Sequence, residues 1–123
     1  MARGDVLLVS LPTSDGKEQG GRRPAIAVQT DIVGEPMLMI APVTSNLKAA
    51  RFAFTVQVEP SPVNGLTAPS IVMVFQLRAI DKIRIVRKLG ELSQSDLARI
   101  DRAIWQMLKP TEPPATISSE SAN

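Results

Sequence analysis

Neither cysteine nor histidine occurs anywhere in this 123-residue chain, and the two absences exclude whole classes of chemistry. Without cysteine there is no disulfide, no thiolate nucleophile and no thiolate metal ligand, which fits a reducing compartment. Without histidine there is no imidazole for a zinc site, a serine–histidine triad or the histidine acid–base pair of many ribonucleases. Tyrosine is also absent, and the four aromatic residues are Phe52, Phe54, Phe75 and Trp105. A broad base-stacking platform is therefore not expected. No apolar run approaches the ~20 residues needed to cross a bilayer. The apolar Val6–Val9 segment after Arg3 is too short for a signal peptide and is followed by Pro12. A soluble, cytoplasmic protein is expected.

Hydrophobic residues make up 44% of the chain, enough for one packed domain. The net charge of +2 is unevenly placed. The segment after Pro110 carries Glu112 and Glu120 and no basic residue, so residues 1–110 hold all 14 basic groups against the other 10 acids. That +4 balance suits a polyanionic or acidic partner. Catalysis, if any, has to come from Arg, Lys, Asp, Glu, Ser and Thr.

Asp5–Ser10 reads as a strand, followed by a turn-rich loop from Leu11 to Gly21. Ala25–Gln29 is the next strand, Gly34-Glu35-Pro36 a turn, and Met37–Pro42 a buried strand. Thr44–Arg51 is a polar loop, Phe54–Glu59 a half-exposed strand, and Pro60–Pro69 a turn-rich connection. Ile71–Phe75 and Ile83–Leu92 complete the strands. Ser93 with Asp96 three residues later marks a helix start, and Leu97, Ile100, Ile104, Met107 and Leu108 recur at helical spacing. Trp105 is read as core packing, and Pro110 ends the helix. The spacing predicts one α+β, mostly β domain over residues 1–110: a small, twisted antiparallel sheet or partial barrel with a C-terminal helix. Residues 111–123, rich in Pro and Ser and lacking a hydrophobic face, are expected to be disordered.

The loop Glu18-Gln19-Gly20-Gly21-Arg22-Arg23-Pro24 is the most informative stretch. Gly20 and Gly21 allow φ > 0 and close backbone approach to a ligand. Arg22 and Arg23 present planar forks suited to phosphate oxygens. Pro24 pushes Arg23 into an extended conformation, so that side chain is aimed.

These residues, together with Arg3-Gly4-Asp5-Val6, Ala41-Pro42-Val43-Thr44-Ser45, Gln76-x-Arg78-x-Ile80-Asp81 and the Leu92–Leu108 segment, resemble the MazF/PemK/Kid family of toxin endoribonucleases. The resemblance covers residues 3–108 with five pieces in family order. It implies an SH3-like, partly open barrel acting as a homodimer, which cuts single-stranded RNA at short motifs with no metal or other cofactor. It further implies restraint by an antitoxin with an acidic, flexible tail. The family pattern places catalysis on Arg23 and Thr44.

The residue chemistry agrees with that division. A guanidinium stays charged well above neutral pH, so Arg23 suits charge stabilisation at phosphorus rather than proton abstraction. The Thr44 hydroxyl can hold a phosphate oxygen or shape the surroundings of the nucleophile. Glu18 is the nearest carboxylate in sequence, with acid–base work and loop bracing as its two roles. Gln19, Gly20, Gly21, Arg22, Ser45, Asn46, Lys48, Gln76 and Arg78 are the further candidates for RNA contact. For the polar loop residues the alternative is a solvated surface, and for Arg78 an ion pair with Asp81. Arg84, Arg87 and Lys88 read as a solvated basic strand. The chain departs from the family at Phe75, where many members carry an acid; its ring is expected to pack into the core, the alternative being to stack a base at the rim. Thr30 and Asp31 are read as a turn cap. Two other readings are a gyrase-inhibiting toxin of the same fold, as CcdB is, and an inactive RNA-binding or partner-binding module. The Trp-Gly-Ile ending typical of the gyrase poison is missing.

Overall fold

The computed structural model describes residues 1–11 and 21–111. The described residues form β1 (Asp5–Leu11), β2 (Gly21–Ala27), β3 (Met37–Thr44), β4 (Thr55–Val58), β5 (Ser70–Met73), β6 (Arg78–Asp81), β7 (Ile85–Glu91) and the helix α1 (Gln94–Leu108). Short 3₁₀ turns occupy Leu47–Arg51, Val74–Gln76 and Lys82–Arg84. The strands join in the order β4-β5-β3-β2-β1-β7, with β6 pairing the free edge of β3, and every pairing is antiparallel.

The topology explains the barrel. β6 lies beyond β3 and β7 beyond β1, yet a three-residue turn connects them, so the β6-β3-β2-β1-β7 sheet must bend back on itself. No ladder between β6 and β7 closes it, which makes it the partial barrel expected. Strand alternation divides the side chains cleanly. Leu7, Val9, Ala25, Leu38, Ile40 and Ile80 fill the inside of the bend. Val6, Ile26, Ala41 and Val43 face the other way, against Val56 and Val72 of the outer strands and Ile100 and Ala103 of α1. Each fully buried Leu or Ile among them contributes about 1.5–3 kcal/mol.

α1 starts where its sequence signal places it. The Ser93 hydroxyl accepts a hydrogen bond from the Asp96 backbone N–H (3.0 Å), and Asp96 adds a negative charge to the first turn. Lys109 ends the helix in the left-handed region, its N–H donating to the Trp105 carbonyl (2.7 Å). Arg3 ties the N-terminal segment to the helix, with Nε donating to the Val28 carbonyl (2.8 Å) and the guanidinium paired with Asp101.

Several expectations are corrected. β2 begins at Gly21 and ends at Ala27, so Arg22, Arg23 and Pro24 belong to a strand rather than a loop. The stretch expected as strand from Ile83 opens with a 3₁₀ turn, and β6 comes as an additional short strand. Trp105 is 51% exposed. At 3.6 residues per turn it points well away from the stripe of Ile100, Ala103, Ile104 and Met107 that faces the sheet. Phe75 lies outside the main core, packed with Ala49, Ile71 and Met73, its ring 5.2 Å from that of Phe52. Asp31 is not a turn cap. Its carboxylate takes Lys82 at 2.6 Å and the Met1 amine at 3.0 Å. Asp81 pairs with no arginine and instead accepts from the Ile83 N–H (3.0 Å).

Candidate active site

One proline shapes the region of interest. The β2–β3 ladder runs through Ala27↔Ile40, Ile26↔Ala41 and Ala25↔Pro42, then stops. Alternation from the bond between the Val28 N–H and the Met39 carbonyl points the nitrogen of the next β2 residue, Pro24, at β3, where it has no hydrogen to donate. The nitrogen of Pro42 faces the other edge of β3. β3 continues by pairing on that edge, Val43 with Val72 and Thr44 with Ile71, while β2 continues along β1, Pro24 with Leu8 and Arg23 with Val9. Both strands thus keep their outer partners beyond the end of the ladder. Extending the register two residues past the ladder sets Arg23 opposite Thr44. By alternation both lie on the same face, at the rim of the barrel interior.

The Thr44 side chain is held from below. Its Oγ1 accepts a hydrogen bond from the Asn46 backbone N–H (3.1 Å), which leaves the hydroxyl proton free to donate. Asn46 in turn accepts from the Lys48 N–H (3.1 Å) and caps the 3₁₀ turn Leu47–Arg51, so its amide NH₂ remains a donor toward solvent. Thr44 is half-buried, and Ser45, Asn46 and Lys48 are exposed beside it. Gly21 opens β2 with φ at 103°, and no atom lies within 4 Å of where a Cβ would stand. Its requirement is the backbone angle. Arg22 is exposed and Arg23 half-buried. Arg78 pairs with Ile40 on the far edge of β3, about 13 Å along the strand from Thr44. Gln76 is exposed in the preceding turn. Glu18, Gln19 and Gly20 lie outside the described residues.

Charge is distributed to match. Arg22, Arg23, Lys48 and Arg78 form no ion pair with any other described residue, whereas Lys82, Lys88, Arg3 and Arg99 each have a carboxylate partner. Among the described residues no group of three carboxylates gathers into a metal-ligand set. The structure thus brings Arg23, Thr44, Ser45, Asn46 and Lys48 to one rim, with Gly21 and Arg22 entering it, and sets Gln76 and Arg78 further along. Sequence reasoning missed Asn64, 3% exposed. The Asn64 side chain donates to the Glu59 carbonyl (2.9 Å) and accepts from the Ser61 (3.0 Å) and Leu66 (2.9 Å) N–H groups. Its place between Ser61 and Gly65 signals a turn, not a buried brace.

A small, partly open β-barrel with one packed helix and a cationic, hydroxyl-bearing rim defines the class of protein. The sequence profile of the PemK-like, MazF-like toxins of type II toxin–antitoxin systems matches residues 2–108, and the chain belongs to that family. Endoribonuclease MazF of Staphylococcus saprophyticus is 34% identical over 106 residues, covering 85% of this chain and 88% of its own. MazF of Deinococcus radiodurans superposes with a TM-score of 0.69 at 25% identity, covering 89% of this chain and 97% of its own. The MazE–MazF structure from the same organism gives 0.68 at 24% identity, over 90% of this chain and 97% of that one. No described helix is long and apolar enough to cross a membrane.

Proposed function

We propose that this member of a toxin endoribonuclease family cuts single-stranded RNA at short sequence motifs, without metal, through Arg23 and Thr44. The reading is supported by the β2–β3 register, in which Arg23 and Thr44 fall on one face, with no ion-pair partner for Arg23 and no acceptor for the Thr44 hydroxyl among the described residues. In the reaction the 2′-hydroxyl gives up its proton to solvent as its oxygen attacks the adjacent phosphorus, the P–O5′ bond breaks, and the departing 5′-oxygen takes up a proton from solvent, so that the products are a 2′,3′-cyclic phosphate and a 5′-hydroxyl. Charge builds on the non-bridging oxygens at the transition state. Arg23 donates to those oxygens, and a donor fixed before the reaction stabilises them at no reorganisation cost. The Thr44 hydroxyl donates to the same group, oriented by the Asn46 N–H. Lys48, Arg22 and Arg78 hold neighbouring phosphates, with Gln76, Ser45 and Asn46 at the bases. The protein acts in the prokaryotic cytoplasm as a homodimer, restrained by an antitoxin with an acidic segment. The Deinococcus radiodurans relative has been solved as a MazE–MazF complex.

The test is digestion of a long single-stranded RNA in EDTA by the purified protein and by its Arg23→Ala and Thr44→Ala variants. Discrete fragments ending in 2′,3′-cyclic phosphate are expected, with each substitution slowing cleavage by on the order of 10²–10³-fold. Intact RNA with the folded wild type overturns the reading. A gyrase-dependent DNA cleavage assay then separates a gyrase poison from an inactive RNA-binding module.

A further inference from the structure

On the opposite face of the same strand ends lies a cleft of about 350 Å³. Pro24 and Val43, which alternate with Arg23 and Thr44, form one side of it, and Ser45 closes the near end. The far side is the 65–68 segment, with Arg87 and Leu89 of β7. The ladders give its floor an order. Arg87 pairs with Leu8 and Leu8 with Pro24, so the side chains of β7, β1 and β2 stand in one row on this face.

The far wall is built rather than incidental. Asn64 spends its amide on three backbone groups between Glu59 and Leu66. Gly65, with φ at 73°, is pressed so close to β7 that a Cβ would stand 2.2 Å from the Leu89 carbonyl oxygen. The Glu91 N–H donates to the Val63 carbonyl (3.0 Å), and the Ser70 hydroxyl to that of Ala68 (2.9 Å). A rigid wall of this kind holds its shape without a ligand.

We propose that this cleft binds a purine base of the RNA, guanine in preference to adenine, on a nucleotide next to the scissile phosphate. The inference rests on the Arg23–Thr44 reading, since a base here belongs to a chain crossing that rim. Each lining residue of β2 and β3 is one covalent step from Arg23 or Thr44, about 3.8 Å between Cα atoms. The volume lies at the lower end of the range for small-molecule pockets and admits one nucleoside. Pro24, Val43, Leu66 and Leu89 offer apolar surface to the faces of a ring, and Arg87 forms no ion pair with another described residue. A guanidinium reads guanine through O6 and N7 together, whereas adenine presents one acceptor and one donor on that edge.

The test needs no cleavage, so it fails independently of the nuclease reading. Amide spectra of the ¹⁵N-labelled protein are recorded with 5′-GMP, 5′-AMP, 5′-CMP, 5′-UMP or ribose 5-phosphate at up to about 10 mM, above the millimolar Kd of a fragment. Shifts at Gly65, Leu66, Thr67 and Ala68 are expected, strongest with GMP, weaker with AMP and least with the pyrimidines. Arg87→Ala and Arg87→Gln should weaken GMP at least about fivefold, the lower end for a lost bidentate pair, and remove its advantage over AMP. The spectrum itself reports whether each variant is folded, and Arg23→Ala should leave the cleft shifts in place. Equal shifts from ribose 5-phosphate, a pyrimidine preference, or a GMP preference that survives both Arg87 changes overturns the proposal. So does silence at these four amides.

Discussion

The two ends of β3 carry similar basic groups and treat them in opposite ways. At the Met37 end, Lys82 is consumed by the fold: its N–H donates to the Pro36 carbonyl (2.8 Å), and its ammonium reaches Asp31 (2.6 Å) and the Ile32 carbonyl (3.1 Å). At the Thr44 end, Arg22, Arg23 and Lys48 have no carboxylate partner among the described residues. Paired charge fixes a loop to a strand. Unpaired like charge does nothing for the fold and repels itself, and the repulsion is relieved when a polyanion arrives. Arg84, Arg102 and Lys109 also lack a carboxylate partner among the described residues, so what marks the rim is that its unpaired cations gather beside a hydroxyl.

The sharpest way to break this comparison is to measure stability and cleavage on the same variants. Arg23→Ala, expected to cost the most activity, should leave the melting temperature unchanged or slightly raised. A fall of many degrees by calorimetry would mark Arg23 as structural. Next in size is Asn64→Ala, which strands three buried backbone groups and should cost about 2–3 kcal/mol, or roughly 10 °C in a domain of this size. Asn64→Asp keeps the two bonds accepted by Oδ1 and should lose less. Lys48→Ala should weaken RNA binding a few-fold for all sequences and lower the slope of log K against log salt by about 0.7, measured by anisotropy from low to high salt. The smallest effect belongs to the neutralised end. The Lys82 hydrogen bond, helped by the Met1 amine and opposed by burial, holds the Asp31 carboxyl below its ordinary value of 3.8. A depressed carboxylate stabilises the fold above its unfolded-state pKa and loses that contribution as pH falls through the lower folded value. Asp31→Asn should therefore melt slightly below the wild type at pH 7, and the difference should shrink as the pH falls below that ordinary value and the carboxyl protonates, read from melting curves.

Much of this molecule was legible because its elements carry local signals. The cap at Ser93, the helical stripe through Ile100 and the apolar runs of β1, β3 and β5 each follow from neighbouring residues. β6 was missed because Arg78–Asp81 is four residues long and buries only Ile80, too little for an alternation to show. β2 was started late because a proline normally argues against a paired strand. Here Pro24 stands at the end of the ladder to β3, and opposite Leu8 of β1 it occupies a position whose N–H would face away from β1, so that pairing loses nothing. The aim of Arg23 was readable from Pro24, and the family pattern carried Thr44. That the two should face each other, however, depends on a register between strands separated by residues 28–36. No local pattern contains that information. The cleft was invisible for the same reason: Arg87 reads as one cation in a solvated run, and only the ladders put it in one row with Leu8 and Pro24.

Pro24 has a consequence beyond aiming Arg23. Its nitrogen faces β3 and carries no hydrogen, so the bond that would continue the ladder toward Val43 has no donor on the β2 side. One tooth of the zipper is missing at the residue that separates Arg23 from the paired part of the sheet. The two strands cannot be drawn together past Ala25 by that bond, so an inhibitor directed at this rim has to occupy it rather than lengthen the ladder.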